Sequence, residues 1–369
     1  MREALKNAKR LVIKVGSSLV TNQGQGLDHA ALARWVEQIA ALKKRGKEVL
    51  LVSSGAIAEG MQRLGWPKRP HSMHELQAAA AVGQMGLIQA YESCFRKFGL
   101  HTAQILLTRD GLESRNRSLN AKRTLEDLFS LKALPIVNEN DTVATEEIAF
   151  GDNDLLSVWV ATLVDADLLI ILSDVDGFYL ADGSRIRAVE EWGQIEKLSS
   201  HLRDEKKAKT VGGMKAKLSA ARLAMQSGIP ILLVNGHEKN ILQQVMAGED
   251  VGTLFAAGEK KRTARENWIA FSAPKKGTLM VDKGACQALV EGQKSLLARG
   301  ILRFQGKFNR GDVVELCHES QIFGRGVVGY SSDEIAKIVG RKTNEIETAL
   351  GYKHKDEVVH RNDLVVWSK

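Results

Sequence analysis

Between Asn138 and Asp154 the chain reads NENDTVATEEIAFGDND, which holds three asparagines and three aspartates directly after the apolar run Leu134-Pro135-Ile136-Val137. Carboxylates at this density need cationic company. In a chain that alternates strands and helices, a strand ending in polar residues delivers them to the crevice beyond its carboxyl end, where α/β sheets bind ligands. An acidic surface loop is the plain alternative. Gly151-Asp152-Asn153-Asp154 also precedes the helical pattern of Leu155, Leu156, Val158, Trp159 and Leu163, so this group is expected to cap that helix. Capping accounts for one residue and leaves the others open.

Candidate cations lie elsewhere in the chain. Lys14 falls within Arg10 to Val15, an apolar run that reads as a buried strand. It is either an edge lysine snorkelling to water or a charge at the strand's carboxyl end that neutralises a phosphoryl group. Gly16-Ser17-Ser18 follows it, and Ser53-Ser54-Gly55-Ala56 follows a second strand from Glu48 to Val52. Two small-residue turns in tandem suggest anion binding through backbone N–H groups. A third candidate is KKAKTVGGMKAK, Lys206 to Lys217, which combines a basic run with paired glycines. It does not fit GxxxxGK[ST], so a Walker-type nucleotide fold is disfavoured, although its glycines and lysines suit a triphosphate held in another geometry.

The elements that must position these residues are legible from period. A helix is expected from about His29 to Arg45, with Leu32, Trp35, Val36, Ile39 and Leu42 on one stripe and Gly46 ending it. The stretch from His71 to Phe98 reads as one long helix or two short ones, Gln104 to Leu107 as a strand, and Asn116 to Leu131 as a helix. Asp167 to Leu172 is a strongly apolar strand ending in Ser173-Asp174. A helix from Leu218 to Gln226, a last buried strand from Ile229 to Val234 and a short helix from Ile241 to Met246 complete the first half. Residues 258–267, GEKKRTAREN, are charged and free of large apolar side chains, as a linker would be. Beyond them short strand-like runs alternate with glycines over residues 268–369, a compact and mainly β domain.

Composition narrows the class. At 369 residues, and about 150 per domain, two domains are expected. No apolar run approaches the ~20 residues of a membrane span, and Lys14 interrupts the only signal-like stretch, so a cytoplasmic protein with no membrane partner is expected. Cys94, Cys286 and Cys317 lie far apart, which suggests neither disulfides nor a thiolate metal site. His71 and His74 lack a third ligand in view, so no protein-held metal is expected. A net charge of +8 favours an anionic partner, either a phosphorylated small molecule or nucleic acid.

Taken together, KVGSSLV, VSSGAIAEG, IVNENDTVATEEIAFGDNDLLS, LSDVDGFY and GGMKAK have the order and spacing of the amino-acid kinase fold, and the chain resembles the glutamate 5-kinase family. Gly277 to Trp367, with VDKGACQAL and GKFNRGDVV, resembles the PUA domain that many of these kinases carry. The resemblance implies an α/β amino-acid kinase fold, an open and mainly parallel sheet sandwiched by helices over residues 1–257, and a small mainly-β PUA domain over 268–369. It implies ATP-dependent phosphorylation of the side-chain carboxylate of L-glutamate to L-glutamyl 5-phosphate, the first step of proline biosynthesis, with Mg2+ bridging the ATP phosphates. By the same resemblance Lys14 and Lys217 approach the transferring phosphoryl group from opposite ends, with Asp154 holding both ammonium groups. Ser54, Gly55, Asn138, Asp141, Asp152 and Asn153 match glutamate-binding positions. Lys14, Ser173, Asp174 and the loop Val211, Gly212, Gly213, Met214, Lys215, Ala216 and Lys217 match nucleotide-binding positions. Val211 departs from the family pattern, which has glycine and threonine before the paired glycines, so ATP affinity or loop closure is expected to differ.

The resemblance also implies a homo-oligomer, dimer or tetramer, and proline as feedback inhibitor. Another kinase of the same fold acting on acetylglutamate, aspartate, carbamate or a nucleoside monophosphate is the near alternative; NENDTV and FGDND disfavour it because acidic residues suit a free α-ammonium. RNA is a second candidate partner through the PUA-like domain. It is not favoured, since Trp268, Phe304, Phe308 and Phe323 lie among apolar residues as core positions would.

Overall fold

The computed structural model describes residues 2–22, 26–143, 153–180, 182–191, 193–194, 213–258 and 262–367. They fall into two compact units, Met1–Arg262 and Thr263–Lys369.

The first unit is built on β1 (Arg10–Val15), β2 (Glu48–Val52), β3 (Thr102–Leu107), β4 (Leu134–Glu139), β5 (Leu168–Ser173), β6 (Ala188–Val189), β7 (Ile231–Asn235) and β8 (Thr253–Phe255). Their order is β3-β4-β2-β1-β5-β7-β8-β6. Pairing is parallel from β3 to β7, then β8 runs antiparallel to β7 with β6 parallel to β8. The open, mainly parallel sheet expected from the sequence is therefore present. β7 is not its last strand as expected, because Thr253–Phe255 adds a buried strand too short to show a period.

Side chains alternate across the sheet, and this assigns every functional group to a face. Leu11, Ile13 and Val15 of β1 join Val49, Leu51, Leu134, Ile136 and Ile170 in one core. Val12 joins Leu50, Val52, Val137, Leu169 and Ile171 in the other. The first core is covered by α1 (His29–Lys44) and by the inner side of α3 (Met73–Phe95), which lies beside α2 (Ala56–Arg63). The second is covered by α4 (Arg115–Ser130), α5 (Asn153–Leu163) and α6 (Met214–Ser227). Lys14 shares the register of Val12 and so points at the face where α5 and α6 pack. It lies on a central strand between β2 and β5, which removes the edge-lysine reading.

Of the two readings of His71 to Phe98, the single long helix holds, from Met73 to Phe95 with a single 3-10 turn after it, while α6 starts earlier than expected. α6 begins at Met214 with Gly213 as its N-cap, so the basic run reaches into the helix and Lys217 stands in its first turns. Alanine and lysine are good helix formers, so MKAK joins the helix although it is charged.

The second unit holds β9 (Lys275–Val281), β10 (Ile301–Gly306), β11 (Val313–His318), β12 (Gln321–Val328) and β13 (Val359–Val366), in the order β10-β9-β11-β12-β13. All neighbours are antiparallel except β9 and β11. Phe308 is buried in its core, while Phe304, Phe323 and Trp268 are partly buried against apolar clusters. The last part of the stretch read as linker is a helical turn, Ala264–Asn267, closed by a reciprocal cap between Thr263 and Glu266. Among the described residues no helix is long and apolar enough to cross a membrane.

The α2–α3 contact is the tightest constraint near the crevice. A Cβ added to Gly83 would lie 1.9 Å from Ala56 O, and one added to Gly60 would lie 1.7 Å from Ala79 O, so backbone meets backbone. Gly83→Ala is expected to separate the helices and lower unfolding stability in urea by about 1–3 kcal/mol, the usual range for overpacking. An unchanged urea midpoint would show that the contact is not needed.

Candidate active site

The carboxyl ends of four adjacent strands, β4, β2, β1 and β5, meet the first turn of α5. Lys14 is one residue from the end of β1 and only 3% exposed. Asp154, in the first turn of α5, is fully buried. Its Oδ1 receives the Lys14 ammonium, and its Oδ2 lies 3.3 Å from Lys217 Nζ, delivered by α6. Burial is the largest single influence on this carboxyl and opposes its ionisation, yet the charges and hydrogen bonds of Lys14 and Lys217 together hold it below the usual carboxylate range. One anion thus fixes two cations, leaving an excess positive charge at the crevice.

The preceding residue looks the other way. Asn153 Nδ2 donates to Ser53 O at 2.5 Å and to Asn138 Oδ1 at 2.8 Å, with Ser54 Oγ at 3.3 Å. Asn138, at the end of β4, donates through Nδ2 to Gln84 Oε1 of α3 at 2.7 Å. Asn138 shares the register of Leu134 and Ile136, so it faces the α3 side of the sheet, and Asn153 bridges the sheet's edge to reach it. Ser53 is held on the same side by Tyr91 at 3.0 Å. Full burial raises the Tyr91 phenol far above its usual range, so it is a neutral hydrogen-bonding partner.

Gly55 makes the turn from β2 into α2 with φ of +102°, a conformation other residues rarely adopt, and a Cβ there would press on Val20. The turn leaves Ser54 beside Asn153 and starts α2, whose first N–H groups have no partner within the helix. At the end of β1 the expected anion-binding turn is partly used already, because Gly16 N–H donates to Leu172 O. Ser173 ends β5, and its hydroxyl donates to Asp174 at 3.0 Å. Asp141 opens a 3-10 turn, Asp141–Val143, beyond β4. Burial pushes its carboxyl up to about 6, with Arg69 pulling in the opposite direction.

Of the residues singled out by sequence, Lys14, Asp154 and Lys217 converge at one point, and Ser54, Asn138 and Asn153 at a second beside it. Gly55, Ser173, Asp174 and Asp141 stand at the strand ends around them. The surface-loop reading fails for Asn138, Asn153 and Asp154, which are 2%, 4% and 0% exposed. The cap reading fails for Asn153 and Asp154, which lie within the helix and reach across the crevice. Met214, Lys215 and Ala216 are helical rather than part of a loop, with Gly213 at its junction. Asp152, Val211 and Gly212 lie outside the described residues. Sequence reasoning missed Gln84, and it placed Ser53 in a small-residue turn without giving its carbonyl or hydroxyl a partner. A glutamine between Gly83 and Met85, on a helix otherwise rich in alanine, was the available signal for Gln84.

Comparison with known proteins gives this geometry a family. Residues 9–235 match the amino acid kinase family and residues 277–350 match the PUA domain. The chain is 50% identical to the glutamate 5-kinase of Nitrosospira multiformis and 50% identical to that of Methylobacillus flagellatus, over 99% of this chain and 100% of each relative. The carbamate kinase of Giardia lamblia, solved bound to AMP-PNP, shares the fold with a TM-score of 0.50 at 14% identity, covering 68% of this chain and 99% of its own. The chain belongs to the amino acid kinase family, within its glutamate 5-kinases, and carries a PUA domain.

Proposed function

We propose that the first unit transfers the γ-phosphoryl group of ATP to the side-chain carboxylate of L-glutamate, releasing ADP and L-glutamyl 5-phosphate, the first step of proline biosynthesis. The observation that carries this reading is Asp154 between Lys14 and Lys217, one residue from an amide cluster suited to an amino acid. A carboxylate oxygen of glutamate attacks phosphorus as the bond to the ADP oxygen breaks. With a pKa of ~4.3 the acceptor is already ionised at neutral pH, so no general base is required.

What the reaction needs is alignment of two mutually repelling anions and neutralisation of charge on the transferring group. Lys14 and Lys217 supply the positive charge from different elements, and Asp154 keeps them from relaxing apart. Ser173, Asp174 and the start of α6 take the nucleotide. Ser54, Gly55, Asn138, Asp141 and Asn153 take the amino acid, with Asp141 against its α-ammonium.

Magnesium fits as a companion of the nucleotide. Among the described residues no three His, Cys, Asp or Glu side chains converge as a cation cage. When bound, the ion would be held mostly by phosphate oxygens and water and would supply charge neutralisation to the triphosphate. A cytoplasmic homo-oligomer, feedback-inhibited by proline, belongs to the same reading. So does a division of labour in which residues 1–257 perform the chemistry and 258–267 link them to 268–369.

The function is tested by hydroxamate formation with ATP, magnesium and hydroxylamine, offering L-glutamate, acetylglutamate, L-aspartate or no acceptor. Glutamate-dependent hydroxamate is expected, falling by about a hundredfold or more in Lys217→Ala, the scale for loss of one transition-state charge partner. Preference for another acceptor would overturn the substrate.

The Asp141 carboxyl gives a second, independent test. It is ionised above pH about 6 and neutral below, so its attraction for the α-ammonium fades as pH falls through that value. The KM for glutamate in Asp141→Asn should exceed that of the unaltered protein by about tenfold or more at pH 8, and the ratio should shrink toward one near pH 5. Taking the ratio cancels the titration of glutamate itself. A ratio that is flat with pH would exclude Asp141 as the ammonium partner.

A further inference from the structure

The amide cluster has a direction. Ser53 O can only accept, so Asn153 must turn its nitrogen, not its oxygen, toward it at 2.5 Å. Asn138 must then present Oδ1 to that nitrogen, which turns its own Nδ2 to Gln84, and Gln84 must present Oε1. A single backbone carbonyl thereby orients three side-chain amides in series. The two remaining atoms of the series are Asn153 Oδ1 and Gln84 Nε2, both buried and, among the described residues, both without a hydrogen-bond partner. The series therefore ends in a free acceptor on one side and a free donor on the other. Buried polar groups are rarely left unpaired, and a buried donor and acceptor of this kind mark a place for a water, an ion or a ligand.

The head group of an α-amino acid is the complement, a cationic donor next to an anionic acceptor. Gln84 also lines a cleft of about 550 Å³ together with Asn140, Asp141 and Thr142, so it borders the same space as the carboxyl assigned to the α-ammonium. The geometry points to Gln84 as a specificity residue: its Nε2 donates to the α-carboxylate of the acceptor amino acid, while Asn153 Oδ1 and Asp141 receive the α-ammonium. This inference rests on the reading of the site as a glutamate kinase and adds the residue that reads the carboxylate not being phosphorylated.

Two variants separate the parts of this role. Gln84→Glu still accepts from Asn138 but replaces the free donor with an anionic oxygen. Gln84→Met removes both. The probes are glutarate, which keeps both carboxylates and lacks the ammonium, and 4-aminobutyrate, which keeps the ammonium and one carboxylate. Each is measured as a competitive inhibitor of glutamate-dependent hydroxamate formation. In both variants the glutamate KM and the glutarate inhibition constant should rise by about ten- to a hundredfold, the range for a hydrogen bond to a charged group. The 4-aminobutyrate constant should stay within about threefold, as should kcat. Equal weakening of both inhibitors would reduce Gln84 to a structural prop, and no weakening of either would show that its nitrogen meets no substrate; each result overturns the inference. Absence of glutamate-dependent hydroxamate in the unaltered protein would instead overturn the reading beneath it.

Discussion

A carboxylate with no exposure to water must be paired, and in this protein Asp154 is paired twice. Removing one partner from such a buried charge costs several kcal/mol, so the position of each lysine is enforced by the fold rather than by substrate. The three residues come from three elements, β1, α5 and α6, which touch only because strand alternation aims Lys14 at the face those helices cover. Positive charge is thereby fixed by the fold itself, which is the condition under which electrostatic stabilisation needs no reorganisation.

Asn153 and Asp154 are neighbours in sequence with opposite assignments. The first reaches over the edge of the sheet to Ser53, Asn138 and, through Asn138, to α3; the second stays on the α6 side. The start of α5 is therefore the partition between the amide cluster and the lysine–carboxylate cluster, about one residue thick. The backbone contact of Gly60 and Gly83 sets how close α2 and α3 approach, and with it the distance between the Ser54 turn and Gln84. Core packing and the geometry of the amide cluster are coupled at that point.

Much of this was legible in the sequence, and the failures have physical causes. Strands such as LVIKV and LLIIL are buried on both faces and read as continuous apolar runs. The polar residues at their ends were recognisable as a site because carboxylates and asparagines in that number exceed what caps need. Lys14 was ambiguous because a lysine in a strand looks the same at an edge and at the centre until strand order is known. Gln84 and Ser53 act through contacts 54 and 100 residues away in sequence, which no local pattern encodes. The start of α6 was placed late because KAK is charged, although lysine and alanine favour helix.

The central claim is that Asp154 acts by holding two ammonium groups around the transferring phosphoryl group. The direct measurement is single-turnover phosphoryl transfer by Asp154→Asn at saturating ATP and glutamate, with ATP affinity and circular dichroism recorded on the same preparation. Asparagine keeps the shape and removes the charge. The account expects folded protein that binds ATP within about tenfold of the unaltered affinity and transfers phosphate at least about a hundredfold more slowly. Transfer within threefold of the unaltered rate would contradict it, since the two lysines would then need no anion between them.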